Sequence, residues 1–594
     1  MNRRDFIKVV STAGSGLVLG FYLPSTNKLN GKPVAVNLFE PNAWIKVRSD
    51  NIVQIMVGKS EMGQGVLTSL PMIIAEEMDL DFSKVVVEKA TADRKKYGWQ
   101  MTGGSNSVSG GYKKLRKAGA TAREMLVMAA AQEWGVSKNE CKTNNGIVIH
   151  EKTGRELSYG ELAEKASQQK VPKKPLLKDK KDFSIIGQNV KRTDTLSKIN
   201  GTAEFAMDVQ LDGMVYATMV HSPVFGGKLK SFNKASVSDI SGVIKIFEIE
   251  SGLAIVAKNT WGALKVSKQI EIKWDEGEAA GLDDEMIRKD LINASKEKGA
   301  VVRNEGNVKN ALKSSDNIIE ALYESPLQAH ATMEPMNCTV YVHKNKCEVW
   351  AGTQDPNGAR KIASKITGLS KKQVEVNVTF LGGGFGRRAF NDYVSEAVEI
   401  SNEMKKPVKM IWSREEDMQH DYYRPSSVHV MVGAFDQNNN ITTFKHRVVA
   451  PSILFTQLVK IPFPFKEKAD IIAVEGAKHL PYEIPNMQVD YQMTKTAVPL
   501  GFWRSVYNSQ NAFATECFMD ELAEKAGKDP VQFRLGLLSK SSRDAGVIKM
   551  VVEKSGWNDF QNGSTYQGMS CHKSFGTWVA QVARVSVENG QVKV

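Results

Sequence analysis

Cysteine is scarce: five residues in 594, at Cys141, Cys338, Cys347, Cys517 and Cys571, with no C-x-x-C pair among them. That excludes the four-thiolate spacing an iron–sulfur cluster would need within this chain. The nine histidines show neither H-x-x-x-H nor H-E-x-x-H spacing, so a protein-ligated metal site is not expected. Long apolar runs are missing as well, and the stretch Val9 to Leu23 is shorter than a membrane span requires. The net charge of +13 suggests nucleic acid or a membrane surface, but no helix interleaves basic and aromatic residues. The densest basic cluster, Lys170 to Lys181, carries two prolines and an acid and reads as a solvated linker. Nucleic acid is therefore not an expected partner. Any redox chemistry would need a cofactor held mainly through backbone and hydrogen bonds.

What is present begins with an address. Asn2-Arg3-Arg4-Asp5-Phe6-Ile7-Lys8, followed by the mildly apolar Val9 to Leu23, resembles a twin-arginine export signal. This predicts a signal region over 1–35 and a periplasmic location, either free or at the periplasmic face of the inner membrane. No small-x-small cleavage site precedes Pro24, so the signal is a candidate for retention as an anchor. A chain of this length needs two to four domains. Composition and patterning divide it into units at 36–182, 192–308 and 317–594. Trp44 to Val57 reads as an extended pair turning at Ser49-Asp50-Asn51, and Lys84 to Lys89 as a strand. Helices are expected over Val66–Met78, from about Tyr112 to Trp134, and over Phe390–Met404. The last residues, with Asn589-Gly590 between alternating apolar positions, predict a two-residue hairpin.

One arrangement recurs three times: a strand, a glycine-rich loop, then a helix. The loops carry Gly63 and Gly65, then Gly103 to Gly111, then Gly382 to Gly386. Glycine lets backbone approach a ligand, and the free N–H groups of a new helix attract anions. Three such ends could converge on one large anionic cofactor, although glycine serves ordinary turns far more often. The third loop has a specific rival, since Gly384-Phe385-Gly386-Arg387-Arg388-Ala389 fits G-x-G-x-x-A. Against a nicotinamide dehydrogenase stand the lack of repeated βαβ units and of an acid about twenty residues on.

Taken together, these segments resemble the molybdenum-binding subunits of the xanthine dehydrogenase and aldehyde oxidase family. Glu61-Met62-Gly63-Gln64-Gly65 looks like the family's glycine-glutamine-glycine loop, and Thr102-Gly103-Gly104-Ser105-Asn106-Ser107 like its Ser-x-Ser stretch. Gln328-Ala329-His330-Ala331-Thr332-Met333-Glu334 is similar to its Q-x-H-x-x-x-E segment, Gly383-Gly384-Phe385-Gly386 to the loop beside the metal, and Phe502-Trp503-Arg504-Ser505 to its arginine loop. Lys198 to Phe205 resembles the opening of an α/β-hammerhead domain. The resemblance implies an α+β, multi-domain cofactor-binding fold with the hammerhead over 192–308. It also implies a molybdopterin cofactor, expected in its cytosine dinucleotide form. Gln64, Gly63, Gly65, Gly104, Ser105 and Ser107 would hold the cofactor. Gln328 would lie near an oxygen ligand of the metal, and Gly383, Gly384, Phe385, Gly386 and Arg504 would wall the metal site. No protein side chain is expected to ligate the metal.

Three departures refine the resemblance. The glutamine-glycine loop and Ser-x-Ser stretch precede the hammerhead, an order resembling the isoquinoline 1-oxidoreductase beta-subunit branch, which also includes membrane-associated aldehyde dehydrogenases. Arg388-Ala389 and Val506 stand where purine-oxidising relatives carry a glutamate and an aromatic, so xanthine is a poor substrate candidate. Finally, the family's general base, a glutamate in a C-terminal G-x-G-E motif, has no counterpart here. The catalytic residue is therefore unknown and expected beyond Val594, in a chain read as truncated at its C-terminus. The implied activity is oxidation of an aldehyde or N-heterocyclic aromatic with a water-derived oxygen. Electrons would pass to a small subunit carrying [2Fe-2S] clusters, with a cytochrome c as a candidate acceptor. The competing class is an exported binding or scaffold protein that keeps the fold without turnover.

Overall fold

The computed structural model describes residues 25–29, 32–36, 38–42, 44–455, 469–557 and 564–594. The Arg3-Arg4 segment lies outside them. Short alternating stretches become strands because one face is buried: Ile45–Arg48 and Val53–Val57 bury every second residue and pair antiparallel. With Leu38–Asn42 and Val85–Lys89 they form a four-stranded sheet. The helix Val66–Glu77 buries Leu67, Leu70, Ile73 and Ile74 in the same core. Each such side chain contributes about 1.5–3 kcal/mol.

The next helix runs over Asn106–Trp134, six residues longer at its start than the expectation from Tyr112. Gly110 and Gly111 had marked a loop, but they lie inside the helix. Packing against the helix Val66–Glu77 overrides their poor local propensity. The basic segment 170–181 is also not a free solvated linker. Arg116 and Arg123 donate to the carbonyls of Lys178 and Leu176, at 2.5 and 2.6 Å. Lys178 Nζ reaches Glu76 and Asp79, each at 2.6 Å, and its side chain is only 12% exposed.

Beyond this unit the chain builds two larger sheets. The seven-stranded one runs in the order Val243–Ile249, Gly252–Ala257, Val215–Val220, Val408–Ile411, Asn337–Val342, Cys347–Ala351, Val374–Val378. The five-stranded one runs Ala300–Glu305, Asn486–Thr494, Ile441–Pro451, Ser427–Phe435, Ile318–Ser325. Both sheets draw strands from either side of the boundary expected at 308–317. A sequence shows strand character, whereas partner choice is non-local. Near the end, Thr577–Glu588 turns onto Gln591–Lys593 through Asn589-Gly590, whose φ values of 52° and 74° suit the two-residue turn. Among the described residues no helix is long and apolar enough to cross a membrane.

Candidate functional site

The three glycine loops meet, and hydrogen bonds show how. Ser60 N–H donates to Thr102 Oγ1 at 2.9 Å, and Ser60 Oγ to the Thr353 carbonyl at 2.6 Å. Gln354 then couples the other two loops. Its Nε2 donates to the Thr102 carbonyl at 2.8 Å, its Oε1 accepts Gly386 N–H at 3.0 Å, and its own carbonyl accepts Thr102 N–H at 2.8 Å. A Cβ on Gly384 would sit 2.7 Å from Met62 Sδ, so the first and third loops are in direct contact. Gln354 is fully buried and was not singled out from the sequence, because nothing local distinguishes it from any polar residue before a helix.

Only one of the three loops keeps an open helix N-terminus. Ahead of Val66, the buried carboxylate of Glu61 accepts N–H bonds from Gly63 at 2.8 Å, Gly65 at 3.0 Å and Leu67 at 3.1 Å. The protein's own anion therefore fills that end. The third loop leads into a short 3-10 turn, Arg387–Ala389, and its helix starts only at Asp392, which Arg387 clamps at 2.9 and 2.7 Å. This corrects the expectation that three helix ends point at one ligand. It also counts against a dinucleotide fingerprint, since Gly386 N–H is already bonded and the Phe502 carbonyl occupies its Cβ direction. The second loop differs. The helix Asn106–Trp134 has no side-chain cap, Ser105 holds a left-handed φ of 53°, and Gly104 and Ser105 are exposed with Ser107 half-buried beside them. Lys59 adds positive charge here, donating to the carbonyls of Met101 at 2.7 Å and Trp99 at 3.1 Å. Burial, then Lys114, lowers its pKa.

Gln64 is exposed at the rim, with its amide folded into its own loop. Oε1 accepts Met62 N–H at 2.7 Å and Nε2 donates to the Ser60 carbonyl at 2.9 Å. Arg192 braces the outside by donating to the Gly63 carbonyl at 2.9 Å. Its bond to Asp194 holds that carboxyl down to about 2.

A second group of segments closes the far side. Gln328 is exposed and pairs through its backbone with Arg424, while the neighbouring Ala329 carbonyl accepts Trp503 Nε1 at 3.2 Å. His330 is buried: its backbone N–H donates to Asp421, and its Nδ1 lies 2.9 Å from Asp421 Oδ1. Asp421 in turn sits 3.0 Å from Arg387 Nε. Burial alone would raise the Asp421 pKa, but His330 and Arg387 hold it below the ordinary carboxylate value. His330 Nε2 has no partner and lies 3.3 Å from where a Gly386 Cβ would be. Gly383, Phe385 and Gly386 all have positive φ, and Phe385 presents its ring 37% exposed. Arg504 is exposed on a turn whose Ser505 and Val506 also hold left-handed φ values of 69° and 54°. Left-handed backbone in non-glycine residues is costly and collects at functional sites.

Besides Asp421, which His330 and Arg387 engage, two further buried carboxylates border the site, and both are fully engaged. Glu61 holds its own loop. Glu334 accepts Gly382 N–H at 2.8 Å, Met207 N–H at 3.2 Å and Asn337 Nδ2 at 3.0 Å, and pairs with Arg388 at 3.2 Å. The arrangement as a whole offers an uncapped helix end, buried polar atoms without partners at Asn106 and His330, and strained loops tied to one another through Thr353 and Gln354. That suits an extended anionic cofactor held through backbone and hydrogen bonds.

Two family models described as Molybdopterin cofactor-binding domain match residues 6–218 and 293–536. The isoquinoline 1-oxidoreductase subunit beta of Brevundimonas diminuta is 28% identical, over 94% of this chain and 78% of its own length. A membrane-bound aldehyde dehydrogenase (pyrroloquinoline-quinone) of Gluconacetobacter polyoxogenes is 28% identical, over 99% of this chain and 81% of its own. Among solved structures, quinoline 2-oxidoreductase from Pseudomonas putida 86 is similar in fold, with a TM-score of 0.53 at 16% identity. The match covers 65% of this chain and 57% of that one, so the chain spans less than two thirds of that solved relative.

Proposed function

Because the chain belongs to the molybdopterin-binding subunits of the xanthine dehydrogenase and aldehyde oxidoreductase family, we propose that it oxidises an aldehyde or an N-heterocyclic aromatic. The observation that carries this reading is the convergence of the three loops on Thr353 and Gln354, with the open helix end at Asn106 beside them. The cofactor's phosphate would lie at Gly104, Ser105 and Ser107, where N–H and hydroxyl donors face an uncapped N-terminus. Gln64, between Gly63 and Gly65, would present the free hydrogen of its amide to the pterin. Gln328 would orient the reacting centre, and Gly383 to Gly386 with Arg504 would wall it, the Phe385 ring excluding water. When bound, the molybdenum cofactor would supply oxidation of substrate with a water-derived oxygen. Arg388 is fully buried against Glu334, so it is not available to bind a purine substrate.

The order of the two cofactor-binding segments, with the expected hammerhead over 192–308 between the loops at 61–107 and those from 328 on, supports the isoquinoline 1-oxidoreductase type. The cytosine dinucleotide is our choice of cofactor form. Electrons would leave through a partner, since the five cysteines include no C-x-x-C pair and three of them are buried. Burial pushes Cys347 and Cys571 up to about 12, further from the thiolate a cluster needs. A small [2Fe-2S] subunit fills that role, passing electrons to an acceptor such as a cytochrome c.

The test is co-expression of the full-length protein with the iron–sulfur partner, followed by molybdenum analysis and dye reduction over a panel of aldehydes and N-heterocycles. We expect bound molybdenum and turnover of one substrate class. A molybdenum-free preparation that still turns over, or a loaded one that oxidises neither class, overturns the reading.

Export by the twin-arginine route is the matching proposal for location. Changing Arg3 and Arg4 together to lysine should leave the protein in the cytoplasm, as fractionation would show, because a receptor reads the pair rather than its charge. Normal periplasmic delivery of the double variant would refute it.

A further inference from the structure

Behind the candidate site, three side chains from two elements bring ligand atoms together within 4.8 Å of one another: His221, Glu416 and His420. His221 follows the strand Val215–Val220, and Glu416 lies in the short helix Arg414–Gln419, which His420 caps at its C-terminal end. Glu416 Oε2 is the common point, 2.7 Å from His221 Nδ1 and 2.9 Å from His420 Nδ1. We infer that this cluster binds one divalent transition-metal ion, zinc by its donor set, as a structural clamp between the strand and the helix.

The donors carry the choice of ion. Two imidazoles and a carboxylate suit zinc, leaving a fourth position for water. The outer contacts carry the inference that these imidazoles act as ligands. A metal-bound histidine nearly always gives its other ring N–H to a carboxylate or a backbone carbonyl. Both do so here: His221 Nε2 meets Glu396 Oε1 at 2.8 Å, and His420 Nε2 meets the Ser222 carbonyl at 3.0 Å. Glu396 is itself fixed, by Trp412 Nε1 at 2.8 Å and Ser251 Oγ at 2.7 Å. Each ring therefore has one nitrogen on Glu416 Oε2 and the other on an oriented acceptor. His420 Nδ1 also lies 3.2 Å from the Glu416 backbone carbonyl, a contact the ion would replace. The side chains of His221, Glu396, Glu416 and His420 are 9, 3, 16 and 14% exposed. A dication with two neutral imidazoles would balance the two carboxylates. Tetrahedral bonds of about 2.0–2.1 Å would hold the ligand atoms roughly 3.3 Å apart, a small opening of the 2.7 and 2.9 Å contacts that Glu416 Oε2 now makes with the two imidazoles. Sequence spacing could not show this site, because His221 stands 195 residues from Glu416.

The clamp has a structural consequence. His420 directly precedes Asp421, which holds His330, and Tyr422 to Arg424, which pair with the Gln328 and Leu500 segments. An ion here would fix the origin of that run without touching the molybdenum cofactor.

The experiment uses the holoenzyme with its partner subunit, freed of adventitious metal by a chelator and then titrated with zinc chloride or cobalt chloride. We expect one zinc per chain, a tetrahedral cobalt absorption band and a higher melting temperature on loading. His420→Ala and Glu416→Gln should lose the tight equivalent. Glu396→Gln should weaken it about 10–100-fold, as loss of a partner that orients a ligand does. His343→Ala, at an exposed histidine–glutamate pair, should leave it unchanged. The rival is a network in which a proton alone bridges His221 and the two glutamates. Failure of the wild-type enzyme to take up either metal supports the rival and overturns the proposal, as does equal uptake by His420→Ala.

Discussion

Alanine at Gly386 should cost the enzyme its molybdenum cofactor and a substantial part of its thermal stability. Two independent effects combine there. The residue has a φ of +111°, outside the range a side chain adopts cheaply, and a Cβ would fall 1.4 Å from the Phe502 carbonyl oxygen. Relief requires the 382–386 loop and the Phe502 turn to part by roughly 2 Å, since both clashing groups are backbone or rigidly attached to it. Overpacking of that kind costs about 1–3 kcal/mol or more, and the forced backbone adds about 1–3 kcal/mol. The displacement would also break the Gly386–Gln354 bond that couples this loop to Thr102. Molybdenum per chain should fall several-fold, and the melting temperature by several degrees. Gly187→Ala is the comparison: its φ of +92° is similarly strained, but its Cβ would meet nothing within 4 Å and it lies outside the three cofactor loops. It should keep most of its metal. If Gly386→Ala retains molybdenum and melts with the wild type, the two loops are not held together as described.

The contrast between these glycines marks how far the sequence could be read. Loops at 63–65 and 382–386 and the hairpin at Asn589-Gly590 were legible because glycine and asparagine act locally through φ. The helix Val66–Glu77 and the strand pair within Trp44–Val57 were legible because burial imposes a period on adjacent residues. What each loop does was not legible. Glu61 reads like any acid beside a glycine until its carboxylate is seen accepting three N–H groups that a ligand would otherwise receive. The start of the helix at Asn106 was hidden by Gly110 and Gly111, whose local signal the tertiary contact overrides. Partnerships across long separations left no local trace: Gln354 with Thr102, His330 with Asp421, and the strands shared across residues 308–317. The family resemblance proposed which loops form the site, and the fold gives those loops one open helix end rather than three.

The same reasoning makes Glu334 a severe position. Its carboxylate is 7% exposed and faces Arg388, which is fully buried. Arg388 also donates to the carbonyls of Gly383 at 3.0 Å, Gly352 at 3.2 Å and Glu334 itself at 2.7 Å. Those carbonyls satisfy the guanidinium's hydrogens but not its charge. Glu334→Ala would leave the cation buried without a counter-ion and strip acceptors from Gly382, Met207 and Asn337. Removing one partner of a buried ion pair costs about 3–5 kcal/mol, because the surviving charge stays desolvated. Glu334→Gln keeps the shape and one acceptor oxygen and should lose less. The decisive measurement is the pair: Arg388→Met in the Glu334→Ala background should cost well under the sum of the two single changes, because the second substitution removes the stranded charge. Unfolding midpoints of the four proteins, followed by circular dichroism at one scan rate, test this. Additive losses, or a Glu334→Ala protein within about 1 kcal/mol of wild type, would mean that the pair does not organise the Gly382 loop.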